Sequence, residues 1–286
     1  MKSAIDAGFL PLFKRKLDLP NLGLSLQKNH GEFILQAYPM ALRIKSELDA
    51  KFYYREGGWC LGIDGIYLPI ETAEDLFIIH EIYLENTYGL NLEEGTTIID
   101  IGMNVGFASV FFASKPQVQK VYTFEPVPPT YKRALEVIEA NPDIAKKIET
   151  NNLGLANEDG EQIISYLPQI RGRVGVLGTK LAYDYHEGGY PVTLQLKKAH
   201  TLLAPLLDRV ENQKVVVKMD CEGAEYPIIE DLAQNGILSQ IHAFMIEWHE
   251  KGPAPLVNPL QEAGFSIFSL GNSNGKAGMI YAVRPT

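Results

Sequence analysis

The sequence predicts an α/β protein, a mostly parallel sheet that closes with a C-terminal antiparallel hairpin and is preceded by an N-terminal α+β extension. Three observations predict it. Residues 96–113, TTIIDIGMNVGFASVFFA, read as an enclosed strand, a tight glycine turn and a helix. Residues 120–125 and 215–219 are again short apolar strands, and each runs into acidic residues at its end. The last two apolar runs, 265–270 and 279–283, are joined by 271–278, too short for a crossover helix, so they pair antiparallel.

Composition sets the outer limits. With 46% apolar and 21% charged residues, the 286-residue chain reads as an ordinary globular enzyme, one large α/β domain with or without an appendage. A formal charge of −9 argues against nucleic acid as a partner, because phosphate binding needs a dense basic face. Only Lys14-Arg15-Lys16 and Lys197-Lys198 are basic clusters, and both are short enough to be solvated faces. Cys60 and Cys221 form no paired motif, which excludes a disulfide framework or a zinc ribbon; Cys221 reads as a small packed thiol. No apolar run approaches the ~18 residues of a membrane span, and no signal peptide is evident, so a cytoplasmic protein without a membrane partner is expected.

In chain order, residues 1–48 predict short helices interrupted by Pro11 and Pro39. Residues 53–70 carry Asp64-Gly65 between apolar runs, a hairpin signal. Residues 72–88 read as a helix with Thr72 as N-cap, Asp75 three residues on, and Gly89 as the stop. The chain is therefore divided into an extension, 1–95, read as a substrate lid or the arm of a homodimer, and a nucleotide-binding domain, 96–286.

That domain opens on Asp100, at the end of its first strand, and on the turn bracketed by Gly102 and Gly106. Ligands of open α/β sheets bind beyond the carboxyl ends of the strands, and a helix N-terminus presents backbone N–H groups there. The turn is G-x-N-x-G. Asn104 occupies the place where a dinucleotide fingerprint needs a second glycine for its pyrophosphate. A nucleoside without a pyrophosphate fits better, and S-adenosylmethionine (SAM) is the candidate. Glu125 ends the second strand a little over twenty residues on, the spacing at which an acid accepts ribose hydroxyls; Pro126 follows it.

Residues 129–140 predict a helix stopped by Asn141-Pro142, and 147–155 a third strand whose following loop, with Leu155, would border an adenine ring. A further strand is read at 163–167. The run 170–190, with Arg171, Arg173, Tyr183, Tyr185 and His186, lacks periodicity and reads as a surface or substrate-facing loop. A strand at 192–196 and a helix at 200–207 lead to the strand ending in Lys218, Asp220, Glu222 and Glu225, with Gly223 at a bend. Helices at 226–235 and 255–263 flank a strand, 243–247, that delivers Glu247-Trp248-His249 to its tip.

Three of these segments, DIGMNVGFASVFFA, FEP and KMDCEGAE, resemble the FkbM family of SAM-dependent methyltransferases. The family's pattern is close to D-x-G-A-N-x-G, F-E-P and K-x-D-x-E-G-x-E, in this order and at similar spacing. The resemblance runs from about Leu84 to the C-terminus. Met103 departs from it where the family usually has alanine, which bears on the pocket wall. It implies a Rossmann-like class I methyltransferase sheet. It also implies SAM as cofactor, with Asp100, Gly102, Asn104, Gly106, Glu125, Pro126, Leu155 and Asp220 as its binding residues. The implied acceptor is a hydroxyl on a sugar or specialised metabolite.

Transfer from a sulfonium needs an aligned acceptor and, for a hydroxyl, a proton acceptor. His249, Asp220 and Glu247 are the candidate catalytic residues, His249 having the ordinary acidity best suited to a base near neutral pH. Either Glu222 or Glu225 is read as holding the bend at Gly223. Asp220, Glu222, Glu247 and His249 also offer the donor types of a divalent-metal site, for example Mg²⁺. Three alternatives stay open at this point: N-methylation of a small molecule, a NAD-linked oxidoreductase, and a non-catalytic SAM-binding module.

Overall fold

A computed structural model describes residues 16–27, 30–55, 57–168, 189–211, 213–271 and 275–285. The chain separates into two compact units, Met1–Thr87 and Tyr88–Thr286.

The first unit is α+β. A hairpin of β1 (Lys16–Leu19) and β2 (Leu24–Gln27) is followed by α1 (Glu32–Gln36) and α2 (Tyr38–Leu48). The sequence does not announce that hairpin, and 1–15 lie outside the described residues. The helical run breaks just before Pro39, as expected, and Pro39 starts α2. It sits in the first turn, where its missing N–H has no helical partner to lose. An antiparallel sheet of β3 (Lys51–Arg55), β4 (Gly58–Ile63) and β5 (Ile66–Ile70) turns at Asp64-Gly65, both with positive φ (47° and 82°), as a two-residue hairpin demands. α3 (Ala73–Ile79) begins with the expected capping box. Thr72 Oγ1 accepts from the Asp75 N–H, and the Asp75 carboxylate accepts from the Thr72 N–H. The helix passes into a π-helical turn, His80–Leu84, and ends there, with Asn86 left-handed, before Gly89 is reached.

The second unit is built on β6 (Thr96–Ile101), α4 (Phe107–Ser114), β7 (Val118–Phe124), α5 (Pro128–Glu139), α6 (Pro142–Ala145), β8 (Ile148–Asn151), β9 (Gly154–Ala156), β10 (Gly160–Tyr166) and β11 (Tyr190–Lys198). These are followed by α7 (Ala199–Arg209), β12 (Val215–Met219), α8 (Glu225–Gln234), β13 (Ala243–His249), α9 (Ala254–Glu262), β14 (Ser266–Gly271) and β15 (Ala277–Val283). Seven strands form the central sheet in the order β14-β15-β13-β12-β6-β7-β8. β13, β12, β6, β7 and β8 run parallel to one another. β15 runs antiparallel to both β13 and β14, so the predicted terminal hairpin is present. All six residues of β6 are buried, as are Phe107 to Ala113 of α4; a helix apolar on every side belongs inside.

The third strand differs from expectation. It leaves the sheet at Asn151, and β9 joins a separate three-stranded sheet in the order β10-β11-β9. Two asparagines cause the break: Asn151 Nδ2 donates to Thr123 O and Asn152 Nδ2 to Glu125 O, occupying carbonyls at the end of β7. Most of the 170–190 run, with Arg171, Arg173, Tyr183, Tyr185 and His186, lies outside the described residues. No described helix is long and apolar enough to cross a membrane.

The sheet order reverses direction between β6 and β12: β7 and β8 extend one way and β13 the other. That switch point opens a crevice at the carboxyl ends of β6 and β12, and the motif residues gather around it.

Candidate active site

The crevice contains about 620 Å³ of open space, counting the solvent at its mouth. Of the sequence-predicted cofactor residues, Gly102, Asn104, Glu125, Pro126, Leu155 and Asp220 line it. Asp100 and Gly106 are not among the lining residues. Asp100 is fully buried behind the turn, and Gly106 caps α4 against Ala134.

The turn follows from close packing of β6 on β12. Gly102 has φ +79°, and a Cβ built there would lie 1.8 Å from the carbonyl oxygen of Asp220. Only glycine allows the two strand ends to meet. The Gly102 and Met103 N–H groups both donate to Phe124 O, which pins the turn to β7. Met103, expected at the pocket wall, is buried but is not among the residues that line the crevice. Asn104 is left-handed (φ 51°), and its side-chain Oδ1 is buried on the crevice wall with no hydrogen-bond partner among the described residues. An orphaned acceptor beside an open crevice is a place for a ligand's N–H or O–H.

Glu125 is buried at the tip of β7. Its Oε2 accepts from the Asn104 N–H at 2.8 Å and its Oε1 from the Val127 N–H at 2.9 Å. Each oxygen keeps a further lone pair, enough for two adjacent ligand hydroxyls. Burial raises its pKa to about 7 against the lowering effect of those two N–H groups and of Lys218.

Behind the turn stands a buried ion pair. Lys218 Nζ on β12 lies 3.1 Å from Asp100 Oδ1 on β6, with side-chain exposures of 3% and 0%. Asp100 Oδ2 also accepts from Ser109 Oγ of α4 at 2.5 Å, and Lys218 Nζ donates to Gly102 O at 2.6 Å. Burial works against the ammonium, yet the charges of Asp100 and Asp220 outweigh it and raise its pKa.

The opposite lip is acidic. Tyr88 OH donates to Asp220 Oδ2 at 3.4 Å. Glu225 is fully buried; its Oε2 accepts from the Gly223 N–H, and its Oε1 from the His249 N–H at 2.8 Å, with His249 Nδ1 at 3.2 Å. Of the two acids read as candidates for holding the bend, Glu225 is the one bonded to it. His249 Nε2 lies 3.8 Å from Glu222 Oε2 and 3.7 Å from Glu247 Oε1. Burial alone would lower the pKa of this ring. The hydrogen bond that the ring donates to Glu225 and the charges of Glu222, Asp220 and Glu225 reverse that and raise it to about 9. His249 is thus an imidazolium at neutral pH, a change from the ordinary acidity that suggested it as a base.

Asp220, Glu222 and His249 each place a donor atom within 4.8 Å of the others; Glu247 is outside that group. The donor set suits a hard divalent ion, but the ring proton already supplies positive charge there, and an ion would have to displace it.

Sequence reading missed several lining residues, among them Phe124, Thr130, Gly154 and Ile228. Gly154 carried a signal: a Cβ there would lie 2.8 Å from Leu196 Cδ2 and 3.1 Å from Pro126 Cβ, and a glycine inside an apolar run marks such close approach. Cys221 also lines the crevice. Burial pushes its thiol well above the usual range, consistent with a packed, unreactive group.

Comparison with known proteins bears on the same segments. The methyltransferase FkbM domain model matches residues 100–267, more than half of the chain. Methyltransferase sdnD of Sordaria araneosa is 23% identical over 227 residues, covering 70% of this chain and 86% of that protein. AMB antimetabolite synthetase AmbE of Pseudomonas aeruginosa is 24% identical over 213 residues, 64% of this chain but only 10% of that protein. The crystal structure of a methyltransferase FkbM from Methylobacillus flagellatus aligns at 13% identity and a TM-score of 0.45, covering 71% of this chain and 47% of that one. The motif segments that line or brace the crevice, Asp100 to Gly106, Phe124 to Pro126 and Lys218 to Glu225, all lie inside the matched span, and the chain belongs to the FkbM methyltransferase family.

Proposed function

We propose that this protein is a SAM-dependent O-methyltransferase acting on a hydroxyl of a sugar or specialised metabolite. The observation that carries the cofactor assignment is the crevice at the switch point. It combines the Glu125 carboxylate, with lone pairs to spare, and the unpartnered Asn104 Oδ1. Asn104 stands where a pyrophosphate would need glycine, so a nucleoside without one is the better fit. Glu125 would hold ribose hydroxyls; Leu155, Pro126 and Gly154 would flank the base; Asp220 and Asn104 would face the amino-acid end. The cofactor supplies an electrophilic methyl group. The chain's own part is to hold the acceptor in line, which is the larger contribution, and to take its proton, worth about 10²–10⁴-fold.

The hydroxyl reading is supported by the carboxylates at the second lip. Asp220 and Glu247 are acceptors for the acceptor's O–H, and His249, as an imidazolium, holds their charges together. The name of the AmbE relative, an antimetabolite synthetase, supports a specialised metabolite as the acceptor class.

The test is titration calorimetry with S-adenosylhomocysteine (SAH), followed by methyl-transfer assays over panels of hydroxylated and amine acceptors, with and without Mg²⁺. The expected result is saturable binding that Glu125→Ala weakens at least tenfold, and transfer to a hydroxyl. Turnover only on amines would move the assignment to N-methylation. No binding with or without Mg²⁺ would overturn the cofactor assignment.

A further inference from the structure

We infer that Lys218 is a positioning residue for the cofactor turn, gripping Gly102 from behind while Asp100 holds it in place. This rests on the SAM reading of the crevice and deepens it. Lysine at 3% side-chain exposure in the strand VVVKM needs a reason, because an apolar residue would pack there without desolvating a charge. Its ammonium has two partners, Asp100 Oδ1 at 3.1 Å and the Gly102 carbonyl at 2.6 Å. Asp100 is in turn held by Ser109 Oγ from α4. One cation therefore joins β12, the end of β6 and the turn, with α4 tied in through Asp100. These elements carry Gly102, Asn104 and Asp220 on the crevice wall. The Tyr88 ring lies 5.5 Å from the same ammonium, and Tyr88 OH donates to Asp220, so the grip extends to the opposite lip. Asp100, which the family resemblance suggested as a cofactor contact, acts instead through Lys218.

A buried ion pair that only stabilised the fold would behave differently from one that sets a turn. Lys218→Met leaves the Asp100 charge buried and alone, and is expected to destabilise strongly. The informative variant is the double replacement Lys218→Met with Asp100→Asn, which removes both charges at nearly constant volume. We expect it to fold, with thermal stability near that of the wild type, and to bind SAH at least tenfold more weakly, because nothing then holds the Gly102 carbonyl. Wild-type affinity in the folded double variant would overturn the inference and leave the pair a structural element. Should the double variant not fold by circular dichroism, Ser109→Ala loosens Asp100 without touching the turn. A several-fold loss of SAH affinity then upholds the inference, and affinity within twofold of the wild type overturns it. Absence of SAH binding by the wild type would instead count against the cofactor assignment itself.

Discussion

The two lips of the crevice hold their acids in opposite ways. On the β6–β7 side each carboxylate is fixed by buried donors: Asp100 by Lys218 and Ser109, Glu125 by two backbone N–H groups. On the β12–β13 side Glu222 and Glu247 keep side-chain exposures of 27% and 34% and share one imidazolium. Glu225 on that side is fully buried and locked onto the bend at Gly223 and onto His249. The first lip is preorganised, as a cofactor common to many reactions would need. The second has acids that a variable acceptor can rearrange. On the first lip each carboxylate is held by two donors, side-chain groups for Asp100 and backbone N–H groups for Glu125.

Five substitutions sharpen this contrast. The largest effect is expected from Gly102→Ala, which adds a clash with the Asp220 carbonyl to a left-handed backbone, together about 4 kcal/mol of stability in chemical denaturation. Gly236→Ala isolates the backbone part: its φ is +72° with nothing near the added carbon, so a loss of about 1–2 kcal/mol is expected. Equal losses at the two positions would remove the close approach of β6 and β12 as the reason for glycine.

Glu225→Ala comes next. It leaves the part-buried Gly223 and His249 N–H groups unpaired, and a loss of about 3 kcal/mol is expected by the same measurement. A loss under about 1 kcal/mol would mean that the second lip has no locked member.

Glu125 gives a pH signature. Its folded pKa, about 7, lies above the ordinary carboxylate range, so the fold favours the neutral acid. That stability contribution is complete below the ordinary range and is lost as pH rises through about 7. Ribose hydroxyls favour the carboxylate, so SAH affinity should rise up to about tenfold per pH unit below 7 and level off above it. Glu125→Gln should weaken binding and flatten the profile; an unchanged slope in that variant would place the titrating group elsewhere.

The smallest effect belongs to Glu247→Gln, at a part-exposed site, where a change in turnover of several-fold and no change in SAH affinity are expected. A large change in SAH affinity would erase the distinction between the lips.

Local sequence carried much of this protein. The capping box at Thr72 and Asp75, the Asp64-Gly65 hairpin, the glycine turn feeding α4 and the terminal antiparallel pair are written in residues a few positions apart, because each depends on dihedral preference or short-range hydrogen bonding. The three motifs likewise announced the crevice, since they sit at strand ends and a parallel sheet brings such ends together.

What needed the tertiary structure was every property set by a neighbour distant in sequence. Asp100 turned away from the crevice because Lys218 of another strand lies behind it. His249 became a cation because Glu225 and Glu222 converge on it. The third strand ended at Asn151 because two asparagine side chains reach the carbonyls of β7. Dihedral preference acts within a few residues, whereas burial and charge act through space, so the sequence by itself determined the elements and the motif, and only the folded chain decided which acid lines the crevice, which braces its turn and which has its titration moved.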